Sequence, residues 1–301
     1  MMNNVFEKDT IDFLWEYREL YLWGNEELAA AGVPEPAVDA RYLLEAVCGT
    51  NRNTLLADPK RRVSAGEKYK YKEYIGERKK RIPLQYILGV QEFMGLEFLV
   101  NEKVLIPRQD TECLVEEVLR FLQDGSEILD LCTGSGCILL SLLHFSNYCK
   151  GTGVDISLEA LRVARENEKR IAGLWHPNPW QEDTVVFLQS DLFEEVPKKE
   201  FDFIVSNPPY IASRVIPSLM DEVRLYEPVI ALDGKEDGLH FYRRIIVESS
   251  AYLRKEGMLF FEIGYDQAEA VKELMEKSGF EEVTVVKDLA GLDRVVYGMR
   301  R

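Results

Sequence analysis

From residue 127 onward, the sequence alternates between short apolar segments and longer segments with helical periodicity. This alternation predicts seven strands, at residues 127–131, 151–155, 184–189, 201–206, 258–263, 282–287 and 294–299. Because helical segments separate most of these strands, the pattern predicts a mostly parallel sheet with helices on both faces. The last two strands follow each other directly, and we expect them to pair antiparallel. The sequence therefore predicts an α/β fold.

Residues 1–82 have a different pattern, in which apolar residues recur every three or four positions. This spacing occurs within 13–21 and again within 40–47, and it is typical of helices with one buried face. Ser64 followed by Glu67 predicts a capping box that opens a further helix. This part of the chain is predicted to form a small all-α bundle.

Residues 83–107 connect this bundle to the α/β part of the chain. Residues 93–100 are apolar with some alternation, and Gly95 lies among them, which predicts a β-hairpin. We therefore divide the chain into a helical domain at 1–82, a hairpin linker at 83–107 and an α/β domain at 108–301.

The composition excludes several classes of protein. The chain contains no run of about 18 apolar residues, the length that is needed to cross a membrane. The polar first ten residues lack the apolar core of a signal peptide. The chain has five cysteines, an odd number with no Cys-x-x-Cys pair, and three scattered histidines. This favours reduced thiols, no metal site and a cytoplasmic protein. We further expect a monomer that does not associate with membranes.

The net charge of −15 is distributed unevenly. Residues 1–59 carry −7 and residues 83–301 carry −15, whereas residues 60–82 carry +7. An acidic α/β domain is a poor partner for a phosphate backbone, so we expect no stable DNA binding. The basic segment 60–82 is either a solvated helix face or a contact for an acidic partner, or for RNA near that partner.

A glycine-containing turn follows the first predicted strand of the α/β domain. Its residues are Cys132, Thr133, Gly134, Ser135 and Gly136. Glycines let the backbone approach a ligand closely at the strand end where open α/β sheets bind ligands. The dinucleotide fingerprint needs a third glycine at position 139, where this chain has Leu139, and this counts against a nicotinamide cofactor.

Carboxylates follow the next two predicted strands. Asp155 ends its strand about 20 residues after the glycines, where a carboxylate accepts hydrogen bonds from the ribose hydroxyls of an adenosine cofactor. Asp191 follows the third strand and is placed to reach the adenine edge, although an ordinary helix cap is the alternative. Together with the glycine turn, these carboxylates predict a nucleoside cofactor.

The most specific segment is Asn207-Pro208-Pro209-Tyr210, at the end of the fourth predicted strand. The prolines stiffen the turn, so the Asn207 side-chain oxygen and the Pro208 carbonyl form two fixed acceptors for a substrate –NH2 group. Holding both N–H groups directs the nitrogen lone pair at a methyl group and stabilises the positive charge that develops on nitrogen. Tyr210 can pack on the substrate amide near a sulfonium. The segment predicts methyl transfer to a planar –NH2 group.

Asn-Pro-Pro-Tyr downstream of Asp-Leu-x-Thr-Gly-Ser-Gly resembles the amino-group methyltransferases, which include DNA adenine-N6 and protein glutamine-N5 enzymes. More of the chain resembles the release factor glutamine methyltransferase family, PrmC/HemK. The matching stretches run in order and comprise residues 83–89, 105–112, 128–136, 153–157, 190–193, 206–211, 227–239, 262–267 and 291–296.

This resemblance implies a Rossmann-like domain that uses S-adenosyl-L-methionine and releases S-adenosyl-L-homocysteine. The implied substrate is the glutamine of the Gly-Gly-Gln motif in class I peptide chain release factors, methylated on its side-chain N5. In this family the helical domain would recognise the protein substrate.

The resemblance also implies roles for individual residues. Cofactor contacts are implied for residues 132–136, Asp155, Leu192 and Asn207, and substrate contacts for Asn207, Pro208, Pro209 and Tyr210. Arg108 is implied to close over the active site, with an ion pair to Asp110 or Glu112 as the alternative.

Three positions depart from the family pattern. Cys132 replaces the usual first glycine of the cofactor turn, which puts cofactor affinity in doubt. Leu192 stands where an aromatic residue can occur, so we expect weaker adenine stacking. Gln109 replaces a common proline, and none of the three changes removes a reacting group.

Three other functions remain open. One is a glutamine methyltransferase that acts on a ribosomal protein. Another is a DNA or RNA adenine-N6 methyltransferase, which would need a basic face on the catalytic domain. The third is a non-catalytic cofactor-binding or partner-binding module, and the intact Asn-Pro-Pro-Tyr segment counts against it.

Overall fold

The computed structural model describes residues 15–174 and 184–301. The chain divides into two compact units, one ending at Leu88 and the other beginning at Gly89. The polar first ten residues and positions 13 and 14 of the first predicted helix lie outside the described residues. The three-part division drawn from the sequence stays a prediction.

The first unit is helical, as predicted. Its helices are α1 (Tyr17–Ala30), α2 (Pro36–Cys48), α3 (Arg52–Ala57), α4 (Ala65–Lys79) and α5 (Leu84–Leu88). The predicted capping box opens α4, because the Glu67 amide donates to Ser64 Oγ and the Ser64 amide donates to Glu67 Oε2. Tyr71 of α4 is fully buried and its hydroxyl donates to the Ala40 carbonyl of α2 at 3.0 Å. The core of this unit therefore joins α2 and α4.

One residue of the basic segment 60–82 is part of this core. Arg78 is buried, and its Nε donates to Asp39 Oδ2 at 2.7 Å while its Nη1 donates to the Ile82 carbonyl at 3.2 Å. The interpretation of the segment as a solvated helix face is therefore wrong for Arg78. Lys60, Arg62 and other cations of the segment are exposed.

The second unit begins with the predicted β-hairpin. Its strands are β1 (Val90–Phe93) and β2 (Leu96–Leu99), which pair antiparallel. Met94 and Gly95 connect them with φ angles of 53° and 71°. Two left-handed residues form the kind of tight turn that matches the twist of a hairpin.

The rest of this unit is an α/β fold. Its helices are α6 (Gln109–Leu119), α7 (Cys137–His144), α8 (Leu158–Ala172), α9 (Asp221–Tyr226), α10 (His240–Ser249) and α11 (Ala268–Lys277). Its strands are β3 (Glu127–Leu131), β4 (Lys150–Asp155), β5 (Val185–Gln189), β6 (Phe201–Ser206), β7 (Leu253–Glu262), β8 (Phe280–Lys287) and β9 (Asp293–Arg300). Among the helices that the structure describes, none is long and apolar enough to cross a bilayer.

The seven strands β3–β9 form one sheet in the order β5-β4-β3-β6-β7-β9-β8. All neighbours pair in parallel up to β7, and β9 is antiparallel to both β7 and β8. This confirms the predicted sheet and its antiparallel final pair. The chain leaves β3 toward β4 on one side and returns to β6 on the other, so ligands are expected at the carboxyl end of β3.

Candidate active site

The glycine-containing turn begins directly after β3. Cys132, Gly134 and Gly136 all have left-handed φ angles, of 61°, 57° and 79°. The Thr133 hydroxyl donates to Asp130 Oδ2 at 2.5 Å, and both side chains are buried. The bond to Asp130 thus fixes the turn to the end of β3. At position 132, cysteine occupies a conformation that favours glycine.

This turn opens on a cavity of about 340 Å³. Of the predicted site residues, those that line it are Cys132, Gly134, Asp155, Asp191, Leu192, Asn207 and Pro209. Thr133, Ser135, Gly136, Pro208, Tyr210 and Arg108 lie outside its lining. The structure therefore gathers residues from four strand ends around one small-molecule site.

The cavity fits an adenosine cofactor. Asp155 ends β4, and its carboxylate accepts hydrogen bonds from the amides of Gly134 at 2.9 Å and Ser157 at 2.8 Å. Burial raises the pKa of Asp155, and these backbone donors oppose the rise. At Gly134 a Cβ would meet no atom within 4 Å, so a side chain there would enter the cavity. A carboxylate beside an open glycine wall suits a ribose with its two hydroxyls.

Asp191 and Leu192 form another part of the cavity wall. Asp191 Oδ1 accepts a hydrogen bond from Arg244 Nη1 of α10 at 2.8 Å. Asp191 lies in a bend and residues 192–195 form turns, not a helix, so the alternative of a helix cap at Asp191 is wrong. Leu192 is buried with a φ of 52°, and Phe241 of α10 also lines the cavity. Apolar and acidic groups are thus both available to a purine.

The Asn-Pro-Pro-Tyr segment leaves the sheet at the end of β6. Asn207 Nδ2 donates to Thr111 Oγ1 at 3.4 Å, and the Tyr210 hydroxyl donates to Glu262 Oε1 at 3.4 Å. Burial raises the pKa of Glu262 to about 7, and it also raises the pKa of Tyr210. Two side chains of the segment are thus tied to neighbouring elements.

The backbone at Tyr210 is held from a third direction. Gln267 Nε2 donates to the Tyr210 carbonyl at 3.0 Å, while Gln267 Oε1 accepts from the Gly264 amide at 3.0 Å. A Cβ at Gly238 would collide with the Tyr210 carbonyl oxygen. The absence of a side chain at position 238 therefore allows the close approach that packs this turn.

Arg108 makes an ion pair that the sequence did not predict. Its Nη2 lies 2.5 Å from Oε1 of Glu227, which is buried. Burial raises the pKa of Glu227, and Arg108 opposes the rise. The alternative of a pair with Asp110 or Glu112 is wrong, because Asp110 pairs with Arg294 and Glu112 accepts from the Met94 amide. Arg108 thus connects the start of α6 to the chain that precedes the cavity residue Pro228.

Sequence reasoning assigned no role to four polar residues around the segment. They are Thr111, Glu227, Glu262 and Gln267. Glu262 carried a usable signal, since it is an acidic residue at the end of an apolar strand. The others lie in loops or in the first turn of a helix, and only the fold brings them together.

A cavity at the switch point of a mostly parallel sheet, with an acidic strand end and an Asn-Pro-Pro-Tyr turn beside it, is typical of an α/β methyltransferase that depends on S-adenosylmethionine. Residues 19–89 match the family model of the PrmC N-terminal domain, and residues 109–223 match that of the methyltransferase small domain. With the relatives described next, these matches show that the chain belongs to the release factor glutamine methyltransferase family.

The curated relatives that carry this family name include two that align over most of their length. The protein from Caulobacter vibrioides is 41% identical over 283 residues, which cover 92% of this chain and 93% of the relative. The protein from Geobacter sulfurreducens is 39% identical over 285 residues, which cover 95% and 97%. A methyltransferase structure from Pyrococcus furiosus covers 69% of this chain and 90% of its own, with 18% identity and a TM-score of 0.50; it supports the fold alone.

Proposed function

We propose that the protein transfers a methyl group from S-adenosylmethionine to the side-chain N5 of the Gly-Gly-Gln glutamine in class I peptide release factors. The observation that carries this proposal is the position of Asn207. Asn207 lines the cavity together with Pro209, and its Nδ2 already donates to Thr111 Oγ1. Its Oδ1 is therefore left to accept a hydrogen bond from a substrate amide.

In the proposed mechanism, Asn207 Oδ1 and the Pro208 carbonyl each accept one N–H of the substrate glutamine. This pair of contacts orients the nitrogen lone pair and stabilises the charge that develops as the N–C bond forms. The ring of Tyr210 covers the substrate amide, and the released proton passes to solvent. S-adenosylmethionine supplies an electrophilic methyl group on a sulfonium.

The other predicted site residues would hold the cofactor. Asp155 would accept the ribose hydroxyls, and Asp191 with Leu192 would contact the adenine. The backbone of residues 132–136 would pass close beneath it, and Arg108 would hold the wall at Glu227 in place.

We further propose a role for each part of the chain. The helical domain at 1–82 would recognise the release factor, the hairpin segment at 83–107 would link it, and residues 108–301 would perform catalysis. We infer a monomer that acts in the cytoplasm. We also infer that it binds no DNA stably, since residues 83–301 carry a net charge of −15.

The test is transfer of label from methyl-labelled S-adenosylmethionine to a purified class I release factor. We expect labelling by the natural protein, and none when the Gly-Gly-Gln glutamine of the substrate is changed to alanine. Asn207→Ala should lose nearly all turnover while it still binds cofactor. Label that enters duplex DNA instead, or near-normal turnover of Asn207→Ala, would contradict the proposal.

A further inference from the structure

We propose that Asn167, a residue of α8, sets the spacing between two walls of the cofactor cavity. One wall is the turn 132–136, and the other is the segment 99–105, which begins at the last residue of β2. Asn167 is not among the residues that line the cavity, so it is a positioning residue that acts through the backbone of both walls. The proposal rests on the proposed function, because it is there that the cavity holds S-adenosylmethionine.

Asn167 is fully buried, and its side-chain amide forms three hydrogen bonds. Its Oδ1 accepts from the Leu99 amide at 2.6 Å, and its Nδ2 donates to the Leu99 carbonyl at 3.1 Å. The same Nδ2 also donates to the Ser135 carbonyl at 3.0 Å. A side-chain amide has two N–H groups, and here one is used on each wall. A single amide thus joins the hairpin to the cofactor turn.

The bonds to Leu99 hold the edge of β2 that faces away from β1. The Val100 amide donates to the Gly89 carbonyl, on the side of β1. Because the backbone groups of successive residues in a strand point to opposite sides, those of Leu99 point to the other edge. Asn167 bonds to both of them there, as a residue of a neighbouring strand would. This explains why a buried polar side chain occurs in the middle of α8, where burial without such partners is costly.

Both partners of this amide lie close to cavity residues along the chain. Ser135 follows Gly134, which lines the cavity, and residues 103–105 line it on the other side. Asn101 stiffens the chain that leads to these residues, since its Oδ1 accepts from the Lys103 amide at 3.0 Å. Walls that are already held at a fixed spacing need not be ordered by the ligand, and this favours binding. Loss of the amide would let each wall move without the other.

The test compares the natural protein with Asn167→Leu, which keeps the approximate volume and removes all three bonds. We expect the Kd for S-adenosylhomocysteine, measured by calorimetry, to rise roughly tenfold, the size of effect that one or two lost hydrogen bonds produce. KM for S-adenosylmethionine should rise in parallel. At saturating cofactor, kcat and KM for the release factor should stay within about twofold, because the substrate contacts remain. A residue that only fills the core would lower the melting temperature without this split.

Arg170→Met is the matched control. Arg170 joins the same helix to the same strand, through an exposed ion pair with Glu97, and its loss should leave the cofactor Kd unchanged. Asn167→Ala leaves space for water at the freed backbone groups, and it decides the test if Asn167→Leu does not fold. An unchanged Kd in the folded Asn167 variant, or an equal rise in Arg170→Met, would overturn the proposal. Failure of the natural protein to bind S-adenosylhomocysteine would instead overturn the proposed function.

Discussion

At the scale of single residues, Cys132 is one of the three positions at which the sequence was expected to depart from the family pattern. Its φ of 61° lies in the left-handed region, in which a side chain is strained by about 1–3 kcal/mol. The residue lines the cofactor cavity, and burial raises the pKa of its thiol. A neutral cysteine therefore occupies a position for which glycine is better suited.

We predict that Cys132→Gly stabilises the protein by about 1 kcal/mol, since relief of strain exceeds the added chain entropy. It should also tighten cofactor binding, because the thiol leaves the cavity wall. Urea unfolding and calorimetry measure the two effects. Met94→Gly is the control for cofactor binding, since Met94 has a left-handed φ of 53° but lies in the hairpin turn; it should leave cofactor affinity unchanged. A less stable Cys132→Gly would show that the strain is absent.

Glu262 gives a prediction about pH. Its pKa is raised to about 7, mainly by burial, so the carboxylate becomes protonated as the pH falls through that value. The groups that face it are Thr111, Arg294, Asp110, Tyr210, Tyr242 and Cys137. The Tyr210 hydroxyl donates to Glu262 Oε1, and a protonated carboxyl is a weaker acceptor than a carboxylate. This support of Tyr210 therefore weakens, and kcat should fall below a pH of about 7.

The measurement is kcat at saturating cofactor across this range. Glu262→Gln should have a lower kcat that no longer varies between mildly acid and neutral pH. Burial also raises the pKa of Asp130 to about 7, so Asp130→Asn is the control and should keep the acid limb. If Asp130→Asn lost the acid limb and Glu262→Gln kept it, the limb would report Asp130, and its assignment to Glu262 would be wrong.

At the scale of elements, the turn after β7 is the part of the fold that holds the Asn-Pro-Pro-Tyr segment. Both the nitrogen and the oxygen of the Gln267 side-chain amide form hydrogen bonds there. Its nitrogen donates to the carbonyls of Tyr210 and Gly238, and its oxygen accepts from the Gly264 amide and the Tyr242 hydroxyl. The turn therefore fixes the backbone from which Tyr210 projects.

We predict that Gln267→Glu lowers kcat roughly 10- to 100-fold, because carboxylate oxygens would face two carbonyls and the turn would shift. Steady-state kinetics and thermal unfolding together measure the effect. Gln91→Glu is the control, since Gln91 Nε2 also donates to a carbonyl, that of Glu92, in an exposed hydrogen bond of the hairpin. An active Gln267→Glu would mean that the turn does not position Tyr210.

The same elements show what the sequence could predict. Apolar segments and the capping box of Ser64 follow local rules, so the seven strands, the hairpin and the start of α4 were predicted correctly. The pairs Arg108–Glu227 and Tyr210–Glu262 join positions 119 and 52 residues apart. No periodicity links such positions, and for Arg108 the nearest acidic residues along the chain were the wrong partners.

At the scale of the whole molecule, charge divides the chain into parts of opposite sign. The basic segment 60–82 carries +7 in a chain with a net charge of −15. Arg78 is committed to Asp39 within the core, so reversing its charge would test folding rather than binding. Lys60 and Arg62 are exposed and available to an acidic partner.

We predict that the double variant Lys60→Glu, Arg62→Glu raises KM for the release factor several-fold and leaves cofactor Kd unchanged, because exposed charges act on association. The effect should shrink with added salt. Lys255→Glu, at an exposed position of β7, is the control and should leave KM unchanged. Equal KM values for all three proteins would favour a solvated face.

The account as a whole depends on which atom receives the methyl group. The direct measurement is peptide mass spectrometry of a class I release factor after incubation with the protein and S-adenosylmethionine. We predict one added methyl on the side-chain nitrogen of the Gly-Gly-Gln glutamine. An unmodified release factor alongside a methylated ribosomal protein or nucleic acid, in the same incubation, would contradict the account.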